Sequence, residues 1–304
     1  MVEDSSEKFS PSGKLCAPCF VACAMRTSGF DLADSVSCAR RTLHPTLALA
    51  DLVDYAHPKP ADSTTRMEIL YQDDCLVAVN KPAGLLVHRS MIDRHETQFA
   101  MQLVRDQLGR RVYPVHRLDK PVSGVLVFAL SAEVARQMMP VMMNGRVDNT
   151  YLAVVRGHTL EIGLIDYPLV EQYDKMTDAK ADKNKAAQEA VTAYERLGTA
   201  ELSYAVGRYP TARYSLLCIK PQTGRKHQIR RHMKHIFHPI VGDTTHGDGR
   251  HNQFFREHFN CHRLLLASTG MAFTHPVTGA AVDIHAPLDD EFRRIISELG
   301  WGIW

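Results

Sequence analysis

No apolar run in the 304-residue chain approaches the roughly 18 residues that a membrane-spanning helix needs, which argues against a helical membrane protein. The N-terminus lacks the basic start of a secretory signal, because Glu3, Asp4 and Glu7 precede any apolar stretch. A disulfide scaffold is missing too. The seven cysteines are odd in number and form no dense framework, which suits a reducing compartment. A soluble, cytoplasmic protein is therefore expected. No Gly-x-Gly-x-x-Gly follows a strand pattern and no Walker-type loop occurs, so a nucleotide cofactor has no support. A Gly-x-Ser-x-Gly elbow is also absent, and the serine-hydrolase reading goes with it.

What is present is enough for a sizeable core, with 45% hydrophobic and 23% charged residues. The net charge is only +2, but its distribution is uneven. Between Lys220 and Arg263 nine Lys/Arg face three acids, Asp243, Asp248 and Glu257, with eight histidines interspersed. Such a cluster is either a phosphate-binding footprint or a solvated face. Residues 1–66 mix Ser, Pro, Ala and Cys with weak periodicity, and the texture changes at Met67. Residues 1–66 are expected to be an extension without a globular fold, or sequence ahead of an authentic start at Met67. Residues 67–304 are expected to hold the folded domain. Cys16, Cys19, Cys23 and Cys38 lack a clean second zinc-binding pair and read as free thiols.

Within 67–304, Met67–Tyr71 and Cys75–Val79 flank an acidic turn, a hairpin signal. Strands are expected at 112–115, 125–130, 151–155, 192–196, 203–208 and 213–219, and helices at Ala132–Met143 and Arg225–Ile236. Residues 171–190 read as a polar, exposed excursion. The order implies an α+β fold, a mixed and largely antiparallel sheet flanked by helices.

Two stretches could carry chemistry. In His116-Arg117-Leu118-Asp119-Lys120-Pro121-Val122-Ser123-Gly124, the Pro and Gly put Asp119 in a loop between buried strands. A loop carboxylate on rigid elements suits a catalytic site, but Asp119 could equally pair with Arg117 or cap a turn. In the stretch from Lys220 to His235, Thr223 can cap a helix whose Ile229, Met233 and Ile236 form one apolar stripe. Arg230 and Lys234 lie beside that stripe, free to meet RNA or a buried carboxylate. An arginine near Asp119 would keep it ionised. His232, His235 and His238 recur every third residue, whereas a helical two-His site uses i,i+4 spacing with a nearby Glu, so no metal is expected. Tyr151 opens a buried strand and reads as core or as a base-stacking platform.

Five separated stretches together resemble the RluA-type pseudouridine synthases, in that family's order. They are Val79–Gly84 with His88, His116–Gly124, Tyr151–Gly157, Pro221–Arg230 through His238–Asp243, and Thr274–Gly279 ending in Ala286-Pro287. His232–Pro239, Gly242–Asp248 and Met67–Tyr71 carry a narrower match, to the branch acting on uridine 65 of tRNA. The resemblance implies an isomerase that turns uridine into pseudouridine without cofactor or metal. Its partner is tRNA, and no obligate protein partner is implied. Asp119 matches the catalytic aspartate, Tyr151 the tyrosine stacked on the target base, and Arg230 the arginine paired with the aspartate. Lys81, His116, Arg117, Arg225, Lys226, Arg231 and Lys234 are expected to contact RNA, with Arg117 holding the place of the flipped nucleotide. The chain departs from the family at Val122, usually Thr, at Asn149, usually basic, and at Leu266-Ala267-Ser268, usually Leu-His-Ala. The alternatives are a synthase acting on other tRNA or rRNA uridines, a non-catalytic RNA-binding module on the same fold, and a His-dependent metal hydrolase.

Overall fold

The computed structural model describes residues 66–88, 96–143, 145–172 and 186–302. The expectations for residues 1–65, including the four N-terminal thiols, lie outside the described residues, as does most of the 171–190 excursion.

Strands β1 (Glu68–Gln72) and β2 (Leu76–Lys81) form the expected antiparallel hairpin. Asp73 closes its turn, with Oδ1 accepting the backbone N–H groups of Cys75 and Leu76, each at 2.7 Å. After helix α1 (Ala100–Leu108) and the two-residue strand β3 (Tyr113–Pro114) comes β4 (Ser123–Ala129), buried at every position. Helix α2 (Ala132–Met143) leads to β5 (Val147–Arg156), β6 (Ile162–Asp166), β7 (Val191–Leu202) and β8 (Ala212–Pro221). Helices α3 (Gln228–His235) and α4 (Gly249–Phe259) precede β9 (Leu266–Thr274), β10 (Ala281–His285) and α5 (Asp290–Glu298).

The sheet runs β1-β2-β4-β9-β5-β8-β7-β6, with β10 on β9 and β3 on β4. Among the named strands of the described residues, only β4 and β9 pair in parallel. The α+β expectation is met. Period-2 alternation explains how helices cover both faces. Val77, Val79, Leu126, Phe128, Ala153, Val155, Leu217 and Ile219 face one way, against Val104 of α1 and Ile229 and Met233 of α3. Their neighbours Leu76, Ala78, Val125 and Val127 face the other way, with Val134 and Met138 of α2. Leu152, Val154, Tyr214 and Leu216 meet Phe254 and Phe255 of α4 and Phe292, Ile295 and Ile296 of α5. Among the described residues no helix is long and apolar enough to cross a membrane.

Three local expectations are corrected. Residues 203–208 form a loop, because Gly207 interrupts them, Pro210 follows, and the exposed Tyr204 and Tyr209 give no strand face to bury. The expected 112–115 strand contracts to Tyr113–Pro114. Helix α3 starts at Gln228, after His227 in the left-handed region (φ 55°), and not at Arg225. Thr223 does not cap it. Its hydroxyl donates to Gln228 Oε1 (2.8 Å) and accepts the Val191 N–H (2.9 Å), tying the turn to β7.

Candidate active site

Asp119 stands on the segment between β3 and β4, and several contacts immobilise that segment. The carbonyl of Lys120 accepts the Gly84 N–H at 2.8 Å and the Lys81 ammonium at 3.2 Å. Lys81 also donates to the carbonyls of Pro82 (2.9 Å) and Leu85 (2.7 Å). Burial pushes its pKa down to about 7, with Arg263 adding to the shift and Asp119 opposing it. Three carbonyl acceptors use all three protons of an ammonium, so we read Lys81 as charged. Past Asp119, Ser123 Oγ accepts from Arg263 Nη2 at 2.9 Å. Gly124 has φ +112°, and a Cβ there would stand 1.9 Å from the Ser268 carbonyl oxygen, so only glycine lets β4 start against β9.

Arg230 reaches the Asp119 carboxylate from α3. Its Nη1 donates to Oδ2 at 3.0 Å, while Nε and Nη2 donate to Asp243 Oδ2 (2.7 Å) and Oδ1 (2.8 Å). The Arg230 and Asp243 side chains are only 5% and 1% exposed, whereas Asp119 is 20% exposed. Burial alone would raise the Asp243 pKa. Hydrogen bonds from Arg230 and from the backbone N–H groups of His246 and Thr245 outweigh it and hold the group below the ordinary value. Among the described residues, Asp119 Oδ1 takes no hydrogen bond. One oxygen is held and the other is open.

Tyr151 is half-buried on β5, where the register against β9 shifts between Thr150 and Tyr151. Such an irregularity re-aims a side chain. Burial pushes the phenol up to about 12, the Asp119 charge adds to this, and Ser268 pulls the other way. The phenol is therefore neutral at neutral pH.

The expected RNA contacts divide. Arg225, Lys226 and Arg231 line one groove with Leu169, Val170, Gln188 and Gly224. Each donates to a backbone carbonyl in or beside the excursion: Arg225 to Glu189 (3.0 Å), Lys226 to Gln172 (3.2 Å), Arg231 to Val170 (2.9 Å). Lys234 and Arg117 are exposed, and burial, with the Arg117 charge adding to it, lowers the pKa of the His88 ring. Lys81 is corrected, and His116 is half-buried with one ring nitrogen spent inside the fold. Lys81 is fully buried on backbone carbonyls, and His116 Nε2 accepts the Val127 N–H at 3.0 Å. Burial pushes His116 down to about 4, so it stays neutral and offers a phosphate no charge.

The histidines spaced every third residue do not converge. His232 is spent on Thr192 Oγ1 (2.9 Å) and the Tyr167 carbonyl (3.0 Å), His235 stacks on Tyr167, and His238 bonds the Arg156 carbonyl. Asp73, Cys75 and His275 do bring metal-ligating atoms within 4.8 Å of one another. The donor set does not fit a metal. His275 Nδ1 accepts the N–H groups of Val277 (3.2 Å) and Thr278 (3.1 Å), so the ring proton sits on Nε2, the atom facing Asp73. Sequence reasoning did not assign roles to Asp243, His227 or His246, although Gly242-Asp243 closes one of the five motifs.

A profile of the RNA pseudouridylate synthase family matches residues 75–235. The chain belongs to this family, and the family makes it an isomerase. It is 55% identical over 235 residues to "tRNA pseudouridine synthase C" of Vibrio cholerae, covering 77% of this chain and 96% of that protein. The protein of the same name from Vibrio parahaemolyticus is 54% identical over the same shares. The fold matches human RNA Pseudouridylate Synthase Domain Containing 4 with a TM-score of 0.58 at 23% identity, covering 76% of this chain and 92% of that one.

Proposed function

We propose that the domain at residues 67–304 converts uridine to pseudouridine in cytoplasmic tRNA, at uridine 65, with Asp119 as the nucleophile. The tRNA assignment is supported by the relatives named tRNA pseudouridine synthase C, whose similarity spans 235 residues. One observation carries the nucleophile: a partly exposed carboxylate with Oδ2 held by Arg230 and Oδ1 open.

In the reaction the bond from uracil N1 to ribose C1′ breaks, the base turns, and a bond from C5 to C1′ forms. The proton lost from C5 is balanced by one gained at N1. Nothing is oxidised or hydrolysed, so the chemistry calls for no electron carrier or metal. Asp119, held through Oδ2 by Arg230, adds to C1′ or to uracil C6, or assists a glycal intermediate. Lifting the base out of its stack costs on the order of a few kcal/mol, partly offset by stacking on the Tyr151 ring. Arg225, Lys226, Arg231 and Lys234 supply positive charge for the phosphates of the surrounding RNA.

The test is pseudouridine mapping in tRNA from a strain lacking this protein, complemented with the intact chain or with Asp119→Asn. The intact chain is expected to restore the modification at uridine 65, and Asp119→Asn to bind RNA without restoring it. Modification by Asp119→Asn removes the nucleophile assignment, and modification only at another uridine removes the target.

A further inference from the structure

Arg230 is not the only group that approaches Asp119 Oδ2. His227 Nε2 lies 3.6 Å from the same oxygen, and His227 Nδ1 lies 3.2 Å from His246 Nε2. His246 is buried, and its backbone N–H donates at 2.9 Å to Asp243 Oδ1, an oxygen that also accepts from Arg230. The groups therefore close a circuit from Asp119 through Arg230 and Asp243, the His246 backbone N–H and ring, and His227, whose Nε2 stands 3.6 Å from Asp119 Oδ2. His227 adopts left-handed backbone (φ 55°), an uncommon state for a residue with a Cβ, and one that clusters at functional sites.

Proton bookkeeping gives the circuit a direction. Facing a carboxylate oxygen, His227 Nε2 carries the proton, and its Nδ1 then accepts from His246 Nε2–H. In this arrangement the neutral His227 ring turns its proton toward Asp119 and accepts from His246 on its other side.

We propose that His227 and His246 form a second arm of the clamp on Asp119, as positioning residues that keep Oδ2 turned inward and leave Oδ1 to react. The inference rests on the reading of Asp119 as the nucleophile. The arm works only while both rings are neutral. A further proton on His227 occupies Nδ1, breaks the bond from His246 and puts a full charge beside the nucleophile. The charged and titratable groups facing His227 are Asp119, Arg230, Lys226, Asp243 and His246, and Lys234 also faces His246. Burial, outweighing the carboxylates, holds His227 below its ordinary value and pushes His246 to about 4. The acid limb of kcat is therefore assigned to this pair.

Two substitutions of the full chain separate the roles. His227→Asn suits left-handed backbone but is too short to reach Asp119. His227→Gln has the length to donate to Oδ2 and gains no proton. His227→Asn is expected to lower kcat on tRNA by about 10- to 100-fold with KM within about twofold, the loss that misplacement of a reacting group brings. His227→Gln is expected to recover most of that loss at pH 8 and to move the acid limb down by at least about half a pH unit. Wild-type kcat in His227→Asn, or an unmoved acid limb in His227→Gln, overturns the proposal. Asp119→Asn is assayed alongside. Its activity would remove the nucleophile reading and this inference together, whereas inactive Asp119→Asn with an unaffected His227→Asn removes the inference alone.

Discussion

A single carboxylate, Asp243, takes one whole edge of the Arg230 guanidinium through Nε (2.7 Å) and Nη2 (2.8 Å), leaving Nη1 directed at Asp119. Arg230 is thereby a fixed strut. Its position along the Asp119–Asp243 line is set by the more deeply buried of the two carboxylates.

Removing that anchor affects both folding and activity. Asp243→Ala strands a buried guanidinium and is expected to cost about 3–5 kcal/mol in chemical denaturation. Asp243→Asn keeps the shape and should recover part of that stability while kcat remains at least about tenfold down, because Arg230 loses its charged partner. Wild-type turnover in Asp243→Asn would show that Arg230 needs no anchor.

His116 makes the fold sensitive to acid. Its folded pKa is pushed down to about 4, whereas the unfolded ring titrates near 6.5. The unfolded chain therefore binds the extra proton more readily between these values. The contribution is fully present above about pH 6.5 and is lost as pH falls toward 4, up to about 3 kcal/mol in all. Urea melts at pH 7.5, 6 and 5 should follow this trend. His116→Gln, which keeps an acceptor for the Val127 N–H but cannot gain a proton, should flatten the trend. An unchanged slope counts against the assignment.

Phe237 ends α3 in left-handed backbone (φ 64°), with its N–H on the Lys234 carbonyl, and its ring is 80% exposed. Glycine is the favoured residue at such a helix end. Phe237→Gly loses little packing and should stabilise the protein by about 0.5–1 kcal/mol, the strain relieved less the entropy that glycine adds to the unfolded chain. Differential scanning calorimetry decides this, and a lowered melting temperature would reveal a hidden contact of the ring.

Lys234 and Lys81 should behave oppositely toward RNA. Lys234→Ala removes an exposed charge and is expected to reduce the slope of log K against log salt by about 0.7–0.9. Lys81→Met should leave that slope alone and lower the melting temperature, since its ammonium is spent on three backbone carbonyls. A salt-slope change for Lys81→Met would restore it to the RNA-contact set.

Much of the frame was legible locally. The Met67–Val79 hairpin, the wholly buried strand around Leu126 and the helix at Ala132–Met143 follow from apolar runs, turn residues and periodicity. At 203–208 the small and aromatic residues resemble a strand until the exposure of Tyr204 is known. Helix α3 was extended by one turn because its true start rests on the Gln228 side chain, which bonds Thr223, Arg225 and Val191.

By itself the sequence determined the α+β class, the loop that carries Asp119, the basic helix and, through five ordered motifs, the family. Those features depend on residue type and short spacing. Tertiary structure alone decided that Arg230 and Asp119, 111 residues apart, meet at 3.0 Å and that Asp243 sets the strut between them. It also decided that the β5 register shifts at Tyr151, that Lys81 is buried on backbone carbonyls and that His116 accepts the Val127 N–H. A lysine or histidine has the same letter in either role. Whether it grips a phosphate or braces a loop depends on which distant carbonyls and carboxylates the fold brings to it.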